Sequence, residues 1–299
     1  MKTPRRYRSQ DEDSDRWNRF PFRQSDIVVS TRSKSGTTWM QQICLSMIHG
    51  SAALPGPLGE LSPWVDWLGE PEGLLFARLN AEPVRRVLKT HTPLDGVLLD
   101  PRARYVVVVR DPLDMAVSLY HQGDNLDRER IAELTGRAST PSVRPGLTEW
   151  LAAWTQADAD PMESMDSLAG VVHHAADAWA RHDDRHVLVV RYEELIADLE
   201  GRMRWLAERL EIEVAPTLWP SLVDGASFAS MQVSAADRIP DARGVIKDPT
   251  KFFRRGTPGA GREIMSAADV TAYERRVCDL VSAEHVDDPA GVLRLLNVA

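Results

Sequence analysis

Ser33-Lys34-Ser35-Gly36-Thr37-Thr38-Trp39 decides the reading of this chain. It follows Asp26-Ile27-Val28-Val29-Ser30, a short apolar run of β character, and it opens Thr37 to Ile48, where apolar residues recur with a helical period. The unit is strand, loop, helix. Small residues let the loop curl so that successive amides point at an anion, and the helix N-terminus adds partial positive charge. Lys34 supplies a point charge, and Ser35, Thr37 and Thr38 supply hydroxyl donors. The loop reads as a phosphate cradle; an ordinary capped helix after a strand is the plainer alternative. The Walker spacing G-x-x-x-x-G-K-S/T is missing, so the site is P-loop-like only.

Outward from this unit, the same alternation continues. Val84 to Leu88 is a second strand candidate, and Tyr105 to Val109 is a continuous β-branched run expected inside a parallel sheet. Asp111-Pro112 starts a helix through about Tyr120. Gly123 to Pro145 reads as a flexible excursion, followed by helices at about Leu147 to Thr155 and Leu168 to His182. Val187 to Val190 is another strand and Glu193 to Leu210 one helix. Residues 226–261 mix helix with a basic Gly/Pro loop, and the remainder is helical by pattern. The expectation is an α/β fold: a single domain over 24–299 with a central parallel sheet flanked by helices. Residues 1–23, dense in both charge signs, read as a mobile arm that becomes ordered near Trp17 and Phe20.

The chain has 299 residues with 36 Lys+Arg against 44 Asp+Glu, a net charge of −8, which speaks against a general nucleic-acid binder. Any polyanion must be held by a local cluster of cations. Two distant cysteines, Cys44 and Cys278, make neither a disulfide framework nor a metal cage and point to a reducing compartment. No apolar run approaches a membrane span and the N-terminus lacks a signal-peptide core, so stable membrane insertion is not expected and the cytoplasm is. Only Lys2, Lys34, Lys89, Lys247 and Lys251 are lysine in an arginine-rich chain. A chemical reason for the lysines that persist is therefore worth seeking.

Three more motifs carry donors suited to anions. Lys89-Thr90-His91 ends the second strand, where open α/β sheets bind ligands, and places a candidate general base beside a rare Lys. Arg110 follows the Tyr105–Val109 strand, with Ser118 two turns on; they read as a grip for a second phosphate, or Arg110 pairs with Asp111 to cap the helix. Phe252-Phe253-Arg254-Arg255-Gly256-Thr257-Pro258-Gly259 reads as a basic loop able to fold over an anion, or as a solvated surface loop.

Together the four resemble the cytosolic sulfotransferase family, which uses 3′-phosphoadenosine 5′-phosphosulfate (PAPS) and releases 3′-phosphoadenosine 5′-phosphate (PAP). The resemblance runs from about Gln24 to Gly261, and it rests most specifically on Lys34 to Trp39 and on Arg110 with Ser118. It implies that Lys34, Ser35, Gly36, Thr37 and Thr38 hold the 5′-phosphosulfate, with Trp39 against the adenine. It also implies that Arg110, Ser118, Arg254, Arg255 and Gly256 bind the 3′-phosphate, and that Tyr192, Phe228 and Met231 lie near the adenine. His91 becomes the base that takes the acceptor's proton, with Lys89 on the sulfuryl oxygens and Lys34 on the leaving phosphate. A compact ammonium suits a moving charge, which accounts for lysine at these places. No metal is implied; His173 and His174 read as a solvated or packed helical face.

Leu61 to Trp67 resembles the acceptor-pocket loop, so Trp64 and Trp67 read either as walls for a small apolar or aromatic hydroxyl compound or as core. Tyr120 and His121 complete the expected rim. Four departures stand out: Arg32-Ser33 where the family has Tyr-Pro, Ala226 where it has Thr, Arg254-Arg255-Gly256 where it has Arg-Lys-Gly with the charge kept, and no recognisable dimerisation motif after Gly261. The rivals are a nucleotide kinase, a non-catalytic scaffold and a membrane-anchored carbohydrate sulfotransferase. The missing Walker loop weighs against the first, the intact cations with His91 against the second, and the Lys-x-His base against the third.

Overall fold

A computed structural model describes residues 3–9, 11–135, 144–234 and 244–298. Its centre is a four-stranded parallel sheet, β1 (Ile27–Thr31), β2 (Val87–Thr90), β3 (Arg104–Val109) and β4 (Val187–Arg191), in the order β2-β1-β3-β4. Ile27 pairs with Val87 and Arg104, and Tyr105 pairs with Val187, so the four strands are closely in register. Successive side chains alternate faces. Val28, Leu88, Tyr105, Val107 and Val109 enter one apolar cluster, while Ile27, Val29, Val87, Val106, Val108, Leu188 and Val190 enter another. Both faces are covered, as the β-branched runs predict.

The helix after β1 is α1 (Thr37–His49), and the helix after β3 is α2 (Pro112–Asn125). Asp111 caps α2 by accepting from the amides of Leu113 and Asp114. The carboxyl ends of all four strands lie at one edge, which brings the loop before α1, His91, Arg110 and Tyr192 to the same side.

Several boundaries differ from expectation. The second strand begins at Val87 rather than Val84, so Lys89 and Thr90 are strand residues and His91 is the first beyond it. The helix expected over 193–210 is two, Tyr192–Ala197 and Leu199–Arg209, because the Asp198 carboxylate accepts from the Gly201 amide and starts a new helix. The excursion after Gly123 contains a helix, Arg128–Thr135; residues 136–143 lie outside the described residues.

The largest difference concerns the arm expected over 1–23. Its described part is packed against the sheet. Tyr7 is fully buried, its hydroxyl donating to Asp95 Oδ1 at 2.8 Å and lying 2.8 Å from His173 Nε2. Trp17 packs with Phe20 and Phe22. Residues 11–13 run beside 66–68, with Asp13 N donating to Asp66 O and Leu68 N to Asp11 O. Arg16 is buried and donates to the carbonyls of Val65, Trp67 and Glu70. Aromatic burial outweighs the charged composition that reads as an arm.

His173 and His174, on the helix Leu168–Trp179, are both buried. Burial lowers the His173 pKa, but bonds to Asp95 and Glu284 more than offset this and raise it to about 9. His174 Nε2 lies 3.0 Å from Ser30 Oγ. They are packed and paired, and among the described residues no His/Cys/Asp/Glu group is arranged to hold a metal. Cys44 and Cys278 are free thiols. Among the described residues no helix is long and apolar enough to cross a membrane.

Candidate active site

The loop before α1 is tightly wound. Lys34 and Gly36 both have left-handed backbone, with φ of 63° and 102°. At Gly36 a Cβ would lie 2.8 Å from the Tyr192 ring, so the close approach of loop and ring depends on glycine. The loop faces an open cleft of about 760 Å³, solvent at its mouth included. Lys34, Gly36, Thr37, Thr38, Trp39, Arg110, Ser118, Tyr192, Phe228, Met231, Arg254, Arg255 and Gly256 all line it. Thirteen of the fourteen residues read from sequence as cofactor-binding therefore line one cleft. Ser35 is the exception: it is buried, and its amide donates to Arg32 O at 3.1 Å.

Cations converge on the cleft. Arg110 does not pair with Asp111; it donates to Lys34 O at 2.9 Å and lies 4.4 Å from the Tyr192 ring centroid. Lys34 Nζ sits 3.7 Å from the Phe252 ring centroid and donates to Gln122 Oε1 at 3.0 Å. Burial, and then the charges of Arg110 and Lys89, bring its pKa down to about 7. Arg254 carries a lowered pKa through burial and the neighbouring Arg255 and Arg110. Arg255, although on the wall, also forks onto Glu263 with two bonds of 2.7 Å. An anion placed here relieves repulsion among these groups, which is the electrostatic signature of a phosphate site.

The flat part of the cleft is aromatic. Trp39 meets Tyr192 edge to face at 5.2 Å and donates its Nε1 proton to Ala226 O at 2.7 Å. The backbone of residue 226 thus keeps a polar contact despite the alanine. Gly256 has φ of 68°, and a Cβ there would lie 2.5 Å from the Phe228 ring. Phe252, Phe253 and Thr257 also line the cleft. Asp114 was not legible as a site residue: buried in the first turn of α2, it accepts from Gly259 N at 2.7 Å and Gly261 N at 2.9 Å, and so anchors the basic loop. Nothing in its sequence context distinguishes it from an ordinary first-turn acid.

His91 lies beyond β2. Its Nδ1 is 2.6 Å from the carbonyl oxygen of Thr31, which only accepts, so Nδ1 carries the proton and Nε2 keeps its lone pair. Burial, then Lys89 and Arg32, hold its pKa well below the usual histidine value, so the ring is neutral near pH 7. The flanking Thr90 and Thr92 hydroxyls both donate to the buried Asp66 Oδ2 at 2.6 Å. Arg32, the residue replacing the family's usual Tyr, points to this side: it donates to His91 O and to Asp166 Oδ1.

Trp64 is half-buried and meets His91 edge to face at 4.8 Å, with Lys89 Nζ 4.2 Å from its ring centroid. Trp67 stacks parallel to it. Trp64 therefore meets the base, and Trp67 packs behind it on Trp64. Tyr120 instead donates to Pro145 O and packs on Arg144 and Trp150, and no ring contact or hydrogen bond joins Tyr120 or His121 to Trp64 or His91.

Known proteins resemble this chain over most of its length. The sulfotransferase domain family matches residues 24–282. The chain is 32% identical over 302 residues to a glycolipid sulfotransferase of Mycobacterium bovis, covering 92% of this chain and 90% of the relative. It is 26% identical over 260 residues to sulfotransferase 1A1 of Rattus norvegicus, covering 83% and 82%. Among solved structures, retinol dehydratase in complex with retinol and PAP superposes with a TM-score of 0.69 at 19% identity, covering 92% of this chain and 88% of that one. A mouse sulfotransferase complexed with PAP gives 0.67 at 20% identity, covering 95% and 91%. With the matched region spanning the sheet, the cradle and the histidine-bearing strand end, this chain belongs to the sulfotransferase domain family.

Proposed function

We propose that this chain moves a sulfuryl group from PAPS to a hydroxyl acceptor, with His91 as the general base. The observation that carries the reading is the fixed His91 tautomer, neutral and with Nε2 free, at the same sheet edge as the cationic cleft. The residues present fit the donor: a glycine-dependent anion loop, converging cations and an aromatic slot. Lys34, Gly36, Thr37 and Thr38 hold its 5′ end, Arg110, Ser118, Arg254 and Gly256 its 3′-phosphate, and Trp39, Tyr192, Phe228 and Met231 its adenine. When bound, PAPS supplies the sulfuryl group and a phosphate leaving oxygen.

His91 Nε2 takes the hydroxyl proton as that oxygen attacks sulfur. Lys89 lies beside the base and stabilises negative charge on the sulfuryl oxygens; Lys34 does so for the leaving phosphate. Positioning and electrostatics suffice, with no covalent enzyme intermediate.

For the acceptor, a sugar-headed lipid is favoured over a small apolar phenol. Relatives of 31–32% identity over 92% of the chain are glycolipid sulfotransferases. In addition, Trp64 is bound up with Lys89 and His91 in a charged, polar surround rather than forming one side of an apolar slot. The decisive test is calorimetric titration with PAP beside ADP. PAP binding far tighter than ADP supports the 3′-phosphate pocket; equal affinities overturn it and reopen the kinase reading.

A further inference from the structure

Arg32, the residue that follows β1, is 2% exposed and does not line the donor cleft. Its burial is only partly compensated. Its Nε has no hydrogen-bond partner, and the carboxylate it pairs with, Asp166, lies 3.2 Å away on a side chain that is 35% exposed. A buried arginine of this kind adds little to stability. What its guanidinium holds is the base and the start of the anion loop. Nη1 donates to the main-chain oxygen of His91, while His91 Nδ1 donates to the oxygen of Thr31. Two consecutive residues thus grip His91 at two points, one on its main chain and one on its ring. Nη2 donates to Asp166 Oδ1, which also accepts from the Ser33 amide at 3.2 Å. Asp166 is fixed in turn by Trp154, whose Nε1 donates to its carbonyl at 3.0 Å.

We propose that Arg32 is a positioning residue for sulfuryl transfer: its fork ties the main chain of His91 to the start of the anion loop, so that the base and the loop carrying Lys34 keep one fixed arrangement. The proposal rests on the sulfotransferase reading above and adds to it a residue that acts only through the groups it holds. Arg32 also contributes charge. After burial, Lys89 and then Arg32 keep the His91 pKa below its ordinary value. The other charged groups nearby, Glu12, Asp66 and Asp166, act on Lys89, and burial keeps His174 neutral near pH 7. Substitution separates position from charge. Arg32→Lys keeps the charge and loses the planar fork, whereas Arg32→Met loses both. Asp166→Ala keeps the guanidinium and removes its anchor.

The test follows the His91 ring by NMR in protein labelled with nitrogen-15 histidine, its signals identified by their loss in His91→Ala. The wild type is expected to show the Nδ1-protonated tautomer alone. All three variants should add an Nε2-protonated population of at least about one tenth, because a ring whose main chain is loosened leaves Thr31 O. The titration midpoint of the ring should move up, toward the ordinary histidine value, in Arg32→Met and stay in place in Arg32→Lys. Turnover of hexyl β-D-glucoside, read as PAP released from PAPS, should fall at least about tenfold in both arginine variants. PAP affinity, expected within about threefold of wild type, reports an intact fold and donor cleft. A wild-type tautomer in every variant overturns the proposal, as does wild-type turnover in Arg32→Met. Full turnover in Arg32→Lys also overturns it, since charge alone then suffices. If Arg32→Met does not fold, Arg32→Lys and Asp166→Ala decide. Two other results strike the underlying reading instead: a wild type that does not bind PAP refutes the sulfotransferase assignment, and one that binds PAP but turns over no glucoside refutes the acceptor class. In the second case the ring spectra still decide the role of Arg32.

Discussion

Raising the pH from 7 to 9 should weaken PAP binding through Lys34. Its ammonium is held near a pKa of about 7 by burial and by Arg110 and Lys89. A bound phosphate favours the charged form and raises that pKa, so binding takes up a proton wherever the free protein has lost it. The sign follows: below pH 7 Lys34 is already charged and affinity is insensitive to its titration, whereas above pH 7 affinity falls as pH rises. With a free-state pKa of about 7, the charged fraction drops from about one half at pH 7 to about one hundredth at pH 9, an affinity loss of up to about 50-fold. At pH 8, calorimetry in buffers of different ionisation enthalpy should register about 0.9 proton taken up through this group. Lys89, brought to about 8, adds a smaller share. Lys34→Arg isolates the effect, because guanidinium stays charged throughout and that uptake should vanish. A change of less than about threefold between pH 7 and 9, or a proton uptake in Lys34→Arg undiminished from the wild type, refutes the reasoning.

Three further outcomes are expected. His91→Ala should lower turnover by at least about a hundredfold and leave PAP affinity intact, and the wild-type rate should show no acid limb until well below pH 6.5; a limb centred at 6.5 contradicts the neutral, buried base. Gly256→Ala, which puts a side chain on left-handed backbone against the Phe228 ring, costs about 1–2 kcal/mol and should raise the PAP dissociation constant roughly 5- to 30-fold in the same titration. Asp114→Ala releases two amides of the basic loop at about 1–3 kcal/mol, so PAP affinity should fall by about tenfold; unchanged affinity means that the loop is held by other contacts.

The donor cleft was largely legible in the sequence because its elements are local. A β-branched run followed by small residues and a helix is readable from one window, and so is Arg110 at the end of Tyr105–Val109. Residues that act across the fold were not. The direction of Arg32 depends on His91 and Asp166, which are 59 and 134 positions away. Asp66 serves the base only because the 61–67 loop runs beside β2. The N-terminal segment looks solvated by composition, and its burial comes from single aromatics, Tyr7 and Trp17, that carry no period. The break at Asp198 falls inside an unbroken helical pattern, and a cap outweighs periodicity there.

The bond that orients His91 has a consequence for how this protein tolerates mutation. Its acceptor is the main-chain oxygen of Thr31, and no substitution at position 31 deletes that atom. The tautomer is therefore sheltered from point mutation at its partner, unlike a base steered by a carboxylate that one nucleotide change can remove. The same oxygen belongs to the last residue of β1, paired with Val108 in the middle of the sheet. To misdirect the base by displacing that oxygen, a mutation must shift the central strand itself, at which point the chain loses its fold before it loses its aim.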